Sequence, residues 1–290
     1  MFHGSIVALI TPFSGSAIDE AALKRLVRWH LDEGSDGIVP VGTTGESPTL
    51  SSDEHRRVVD LVVSEVAGQV PVIAGAGSNN PLEAIKHTQH ASDAGADAAL
   101  HVMGYYNRPH QDGIYEHFKA VHDATDLPIV VYNVPPRTII DIQPETLSRI
   151  AGLTRVIGIK DASCDLSRPI REALLIDKDF CFLSGEDPTA VAYNAHGGQG
   201  CISVTANIAP ALCAQMQSSC QQGQYEVALD IQRRLMPLHR ALFVEPSPAG
   251  VKFAASLLGL CNSRCRLPLV DLQPQTQQQI TRAMTAVGLL

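Results

Sequence analysis

The stretch Arg155-Val156-Ile157-Gly158-Ile159-Lys160-Asp161 predicts a short buried strand with a lysine at its carboxyl end. An apolar run of this length is typical of a strand that is covered on both faces. Burying an ammonium group is costly, because desolvation disfavours the charged form. We therefore interpret Lys160 as an amine that is kept in a sheltered place so that it can attack a carbonyl group.

Seven further apolar runs occur along the chain, and helical patterns separate them. The eight predicted strands span residues 4–12, 37–42, 70–76, 98–104, 128–134, 156–161, 180–185 and 200–205. The segments between them carry helix signals, such as the capping-box pattern from Ser51 to Glu54. Eight strand–helix units in roughly 220 residues match a (β/α)8 TIM barrel of the α/β class. This is the fold that we predict.

A doubly wound open sheet is the alternative fold, since the same alternation of strands and helices produces it. However, no G-x-G-x-x-G follows the first predicted strand, where Thr11-Pro12-Phe13 stands instead. Three more helical patterns follow the last strand, at 223–241, 248–259 and 274–288. We therefore predict a catalytic barrel at residues 1–222 and a C-terminal three-helix region at 223–290.

The composition limits the expected partners and compartment. The 290 residues include 22 basic and 30 acidic side chains, for a formal net charge of −8. No block of like charge occurs, so we do not expect nucleic acid as a partner. Residues 1–10 lack the basic start of a signal peptide, and no apolar stretch approaches the length of a membrane span. We predict a cytoplasmic protein without a membrane partner.

The cysteines and histidines show no metal-binding spacing. The 7 cysteines include no C-x-x-C pair, and the 11 histidines include no H-E-x-x-H motif. We therefore predict reduced thiols and no bound metal.

Polar residues follow six of the predicted strands at their carboxyl ends, the edge at which TIM barrels carry their chemistry. These segments are 42–47, 105–108, 132–138, Lys160, 184–187 and 203–205. Each has an ordinary structural interpretation when it is taken alone, as a tight turn, a packing tyrosine or a surface lysine. Because all of them lie on one rim, we predict an active site there.

The same segments resemble the 4-hydroxy-tetrahydrodipicolinate synthase family, which belongs to the class I aldolase and N-acetylneuraminate lyase superfamily. The resemblance is carried by 4–7, 11–12, 41–47, 105–109, 132–138, 158–161 and 183–185, and it continues to 266–268. It implies a lyase of lysine and diaminopimelate biosynthesis. Such an enzyme condenses pyruvate with L-aspartate 4-semialdehyde through a Schiff base and needs no cofactor.

The resemblance also implies catalytic roles. Lys160 matches the lysine that forms the Schiff base, and Tyr132, Thr43 and Tyr106 match a proton relay. Hydroxyl groups of this kind can carry the protons that imine formation, enamine formation and cyclisation require. In the family, the residue that matches Tyr106 enters the neighbouring subunit's site. The resemblance thus implies a dimer as the minimal active unit and a homotetramer, built as a dimer of dimers, as the assembly.

Four residues match substrate-binding positions of the family. Thr44 matches a contact to the carboxylate of pyruvate, and Arg137 matches the arginine that holds the carboxylate of the semialdehyde. The main chain of Gly185 and Ile202 matches positions that line the pocket.

N-acetylneuraminate lyases and other 2-keto-acid aldolases of the superfamily are the alternative function. They share the lysine and the strand-5 tyrosine, but Arg137 and the Thr43-Thr44 pair favour the synthase. A non-catalytic paralogue would be expected to lack Lys160 or Tyr132, and this chain has both.

A second site is implied by the residues that match the lysine-binding site of feedback-inhibited relatives. These residues are Ser47, His55, Asn79, Glu83 and Tyr105. Ser52 and Pro48 depart from strongly inhibited forms, so we expect inhibition by lysine to be weak or absent. Residues 161–165 and 247–250 also depart from the usual family sequence.

Overall fold

The computed structural model describes residues 1–290, and its centre is a sheet of eight parallel strands. The strands are β1 (Gly4–Ala8), β2 (Gly37–Val39), β3 (Ile73–Gly75), β4 (Ala98–Val102), β5 (Ile129–Asn133), β6 (Val156–Asp161), β7 (Cys181–Ser184) and β8 (Gly200–Ser203). All eight predicted strands are present, and several are shorter than predicted.

The sheet closes on itself. β1 pairs in parallel with both β2 and β8, and consecutive strands from β3 to β8 pair with each other. A single bridge between Ile38 and Val72 joins β2 to the start of β3. A ring of parallel strands has no free edge, so the TIM barrel is confirmed and the open doubly wound sheet is excluded.

The first strand is shorter than predicted, because β1 ends at Ala8 and not at residue 12. The chain then forms a short antiparallel hairpin in which Phe13 pairs with Ile18 and Ser14 with Ala17. Pro12 stands just before this hairpin, and proline has no N–H for a sheet ladder. An apolar run therefore extends beyond the hydrogen-bonded strand.

Helices cover the outside of the barrel and continue to the C-terminus. They are α1 (Glu20–Asp32), α2 (Ser52–Val66), α3 (Pro81–Ala94), α4 (Gln111–Ala124), α5 (Pro135–Thr138), α6 (Pro144–Ala151), α7 (Arg168–Ala173), α8 (Ala190–Ala195), α9 (Pro210–Gln221), α10 (Tyr225–Ala241), α11 (Ala249–Leu257) and α12 (Pro274–Val287). The predicted capping box of α2 is present, since Ser51 and Glu54 exchange both hydrogen bonds. None of the helices combines the length and hydrophobicity that crossing a bilayer requires.

Two buried apolar regions position the functional edge. Side chains from the strands, including Ile6, Val39, Leu100 and Ile202, fill the inside of the barrel. A larger cluster of 45 buried residues lies between strands and helices, and it includes residues of α10, α11 and α12. The predicted C-terminal helical region is thus present and packs onto the barrel, while its boundary at residue 222 stays a prediction.

Candidate active site

Lys160 and Tyr132 lie side by side at the carboxyl ends of β6 and β5. The two residues are partners in the parallel register of these strands. Lys160 is 6% exposed and Tyr132 is 8% exposed. The Nζ atom of Lys160 lies 4.3 Å from the centroid of the Tyr132 ring, close enough for the aromatic face to attract a cation. The pairing of two neighbouring strands therefore holds the amine and the phenol together in a sheltered place.

The Lys160 side chain passes close to Gly185, and the absence of a side chain there makes room for it. A Cβ atom at Gly185 would lie 3.0 Å from the Lys160 Cε atom and 2.9 Å from the Cβ atom of Ala162. The Gly185 N–H also donates to the Asp161 carbonyl at 2.6 Å. A larger residue at the end of β7 would thus push against the amine, which places Gly185 in contact with the lysine as well as at the edge of the site.

A buried polar network supports this pair from behind. Asn133, which follows Tyr132, donates from Nδ2 to the Asp161 carboxylate at 3.1 Å and to the Asp141 carboxylate at 2.8 Å. Arg168, only 3% exposed, lies 2.8 Å from Asp141 and 2.7 Å from Glu172. Burial raises the pKa of Glu172 to about 7, against the opposing effect of Arg168. These contacts tie the ends of β5 and β6 to α7.

The turn after β2 carries Thr43 and Thr44. The Gly45 N–H donates to the Gly42 carbonyl at 3.1 Å, and the Glu46 N–H donates to the Thr43 carbonyl at 3.1 Å. Thr44 is buried at 5% exposure, whereas Thr43 lines an open cavity. Thr43 is thus the threonine of this turn that lines the cavity, and Thr44 next to it in sequence is buried.

Gly75 lies against this turn, at the end of β3. A Cβ atom at Gly75 would lie 2.3 Å from the carbonyl oxygen of Val41, so only glycine permits this approach. The Gly75-Ala76-Gly77 stretch therefore belongs to the wall of the site, and its glycines allow close packing of the main chain.

A cavity of about 530 Å³ brings several predicted residues together. Thr43, Tyr132 and Arg137 line it. The same cavity is lined by four of the five predicted lysine-site residues, which are Ser47, His55, Glu83 and Tyr105. The fifth, Asn79, lies next to it and donates from Nδ2 to the Tyr105 carbonyl at 3.2 Å. The two predicted sites are therefore continuous within one subunit.

The remaining predicted residues differ in exposure. Ile202 is completely buried inside the barrel, in the same apolar cluster as Tyr132. Arg137 is exposed on the short helix α5, which begins with two prolines. Tyr106 is 93% exposed, has a φ of 70° and does not line the cavity. A single chain thus leaves Tyr106 apart from Thr43 and Tyr132.

The rim of the site carries acidic groups as well as the Lys160 amine and the Arg137 guanidinium. Glu186 follows Gly185 and is half-buried. Burial and the neighbouring Asp187 raise the pKa of Glu186, whereas Lys160 and Arg137 act in the opposite direction. No group of three or more His, Cys, Asp or Glu side chains converges in the way that metal ligands do.

Three buried residues near the site were not predicted as functional. They are Glu46, Lys252 and Arg168, each of which is at least 97% buried. Glu46 lies within the predicted rim segment 42–47, three residues after Thr43. A charged residue at that place in the sequence could have indicated a functional role. Nothing in the local sequence distinguishes Lys252 or Arg168 from the surface residues of an amphipathic helix.

Known proteins share this fold and sequence along the whole chain. The model of the dihydrodipicolinate synthetase family matches residues 1–287. A relative from Parvibaculum lavamentivorans named 4-hydroxy-tetrahydrodipicolinate synthase is 58% identical over 290 residues, with 100% of both chains covered. The predicted family and enzyme class are thereby confirmed.

Two solved structures agree with this assignment. One is the chloride-inhibited dihydrodipicolinate synthase of Acinetobacter baumannii in complex with pyruvate, which is 39% identical with a TM-score of 0.98 and 100% coverage of both chains. The other is described as a monomeric dihydrodipicolinate synthase variant, and it is 39% identical with a TM-score of 0.97, covering 100% of this chain and 98% of that one. This chain belongs to the dihydrodipicolinate synthetase family.

Proposed function

We propose that this chain condenses pyruvate with L-aspartate 4-semialdehyde to form 4-hydroxy-tetrahydrodipicolinate, a step of lysine and diaminopimelate biosynthesis. The observation that carries the proposal is the buried amine of Lys160, held 4.3 Å from the centroid of the Tyr132 ring. Thr43 and Arg137 line the adjoining cavity, so a nucleophile, hydroxyl groups and a carboxylate-binding cation are all available to a small keto acid.

The reaction begins at Lys160. Its amine attacks the keto carbon of pyruvate, and loss of one water gives an imine. The methyl group next to the imine loses a proton, and the resulting enamine attacks the aldehyde carbon of the semialdehyde. The amino group of that substrate then attacks the imine carbon, which closes the ring and releases Lys160. Overall, two substrates give one product and one water.

Proton transfer is assigned to hydroxyl groups. Tyr132 lies next to the amine, and Thr43 lines the same cavity. We assign the third position of the relay to Tyr106 from a second copy of the chain, because in its own subunit this side chain is almost fully exposed. The active unit is therefore at least a dimer, and a dimer of dimers is the proposed assembly. Sedimentation of the active enzyme tests this assignment.

Substrate binding is divided between two carboxylate sites. Thr44 is assigned to the carboxylate of pyruvate, with the main chain of Gly185 and Ile202 completing that part of the pocket. Arg137 is assigned to the carboxylate of the semialdehyde, since its guanidinium lines the cavity and can form two parallel hydrogen bonds.

Replacing Arg137 separates the two substrates. We expect Arg137→Ala to lower kcat/KM for the semialdehyde by about 100-fold or more, because it removes a charge-assisted bidentate contact. Formation of the pyruvate imine should remain within about threefold of wild type, since Lys160 is untouched. Steady-state kinetics with each substrate and borohydride trapping measure the two effects. Parallel loss of pyruvate capture would contradict this role.

The decisive assay compares two reactions. Purified protein is given pyruvate with L-aspartate 4-semialdehyde, and separately N-acetylneuraminate. The proposal requires condensation and no more than trace cleavage of the sialic acid. Activity on N-acetylneuraminate alone would establish the lyase instead.

We propose that inhibition of this enzyme by lysine is weak or absent. Ser52 and Pro48, the two departures from strongly inhibited relatives, both line the cavity next to Ser47 and His55. We expect less than half-inhibition at 1 mM lysine, a threshold on the order of typical metabolite levels. A lysine titration of the condensation rate measures it, and half-inhibition at submillimolar lysine would refute the expectation. A cytoplasmic location accompanies the proposed pathway and is tested by cell fractionation.

A further inference from the structure

The turn at residues 42–47 needs support from outside itself. Glu46 has a φ of 56°, in the left-handed region that is unfavourable for a residue with a Cβ atom. Its N–H closes the turn by donating to the Thr43 carbonyl at 3.1 Å. The conformation of Glu46 and the position of Thr43 are therefore linked.

Both oxygens of the Glu46 carboxylate are bonded to the C-terminal helical region. The Nζ atom of Lys252, on α11, donates to Oε1 at 2.6 Å. The main-chain N–H of Arg266 donates to Oε2 at 2.8 Å. The side chains of Lys252 and Glu46 are 0% and 2% exposed, so bulk solvent does not reach this contact. The centroid of the Phe13 ring lies 4.2 Å from the Lys252 Nζ atom and 4.4 Å from the Arg266 Cζ atom. An aromatic ring thus packs against both basic side chains.

Stability alone is a weak explanation for this pair. The free energy that is lost when two charges are removed from water offsets much of their mutual attraction. Apolar residues of similar size at such positions often give a protein of equal stability. A second ionic contact between the barrel and the C-terminal helical region joins Glu54 on α2 to Arg266. That contact is partly exposed and ends on a helix, whereas the Glu46–Lys252 pair ends on the turn that carries Thr43 and Thr44.

We propose that Glu46 and Lys252 are positioning residues, through which the C-terminal helical region sets the place of Thr43 in the cavity that Tyr132 also lines. The inference rests on the relay role of Thr43 in the proposed function. Without Lys252, the buried Glu46 carboxylate would keep the Arg266 N–H but lose its ammonium partner, so it would move toward water or take up a proton. Either response weakens the hydrogen bonds that hold the turn at residues 42–47 against the C-terminal region. Lys160 and Tyr132 are held by the pairing of β5 and β6 and would stay in place.

The test compares three variants by kcat, KM for pyruvate and borohydride trapping of pyruvate. Lys252→Met removes the cation. Glu46→Gln keeps the size of the side chain, but its NH₂ group would face one of the two donors, the Lys252 ammonium or the Arg266 N–H. Glu54→Gln is the matched control, since it weakens the other contact with the C-terminal region and retains an N3 residue that suits a capping box.

We expect Lys252→Met and Glu46→Gln to lower kcat by about 10- to 100-fold, as small displacements of catalytic groups do. KM for pyruvate and the extent of trapping should stay within about threefold of wild type, and Glu54→Gln should keep kcat within about twofold. A purely structural role would instead reduce trapping and kcat together.

Three results would overturn the inference. They are a kcat of Glu46→Gln within twofold of wild type, an equal loss of kcat in Glu54→Gln, or a parallel loss in the extent of pyruvate trapping at equilibrium. Glu46→Gln decides the question if Lys252→Met does not fold. The proposed function itself would fail if wild-type protein neither trapped pyruvate nor catalysed the condensation. If wild-type protein is active and the variants are unaffected, only this inference fails.

Discussion

Lys160→Ala is expected to abolish turnover, with kcat at least about 10⁴-fold below wild type, because no other group can form the covalent intermediate. The wild-type amine is 6% exposed and lies against Tyr132, and no second lysine shares this contact. Mass spectrometry after treatment with pyruvate and borohydride should find one reduced adduct per wild-type chain, located on Lys160. The variant should gain none.

Lys119→Ala is the matched control for this experiment. Lys119 is an exposed lysine on α4 whose ammonium pairs with Asp123, so its loss should leave both adduct and turnover unchanged. Circular dichroism of Lys160→Ala should match that of wild type. A label on a different lysine, or residual turnover above one part in about a thousand, would show that the nucleophile is wrongly assigned.

The position of Lys160 was predictable because it depends on local signals. An apolar run specifies a buried strand, and its last residue must lie at the carboxyl edge of the barrel. Tyr132 follows the preceding strand in the same way, so parallel pairing alone brings the two side chains together. The eight strands and the three C-terminal helices were predicted for the same reason.

Contacts between distant segments could not be derived from local patterns. Glu46 and Lys252 are 206 residues apart, and only the packing of α11 against the barrel rim joins them. Arg168 resembles a surface residue of a helix, yet it is buried among three carboxylates. Leu9 and Ile10 continue the apolar run after β1 ends at Ala8, so the hydrophobic pattern did not show where the strand stops before the hairpin from Phe13 to Ile18. Tyr106 is exposed and does not line the cavity, so its proposed place in a second subunit's site depends on the family resemblance and not on a pattern within one chain.

Tyr132→Phe should lower kcat by about 100- to 1,000-fold, the usual effect of losing a group that transfers protons. The substitution keeps the ring, so the contact with Lys160 and the packing inside the barrel remain. Pyruvate should still form the imine, but slowly, while KM for pyruvate changes little. Stopped-flow trapping and steady-state kinetics measure the two quantities.

Tyr193→Phe is a control of the same chemical kind, because Tyr193 is 3% exposed and its hydroxyl has no hydrogen-bond partner. It should retain wild-type kcat. Combining Tyr132→Phe with Thr43→Val then tests whether the two hydroxyls act in one chain. Members of one relay fail together, so the double variant should be hardly slower than Tyr132→Phe alone. If the two losses multiply instead, Thr43 and Tyr132 act in separate steps, and the cavity contains two independent proton-transfer groups.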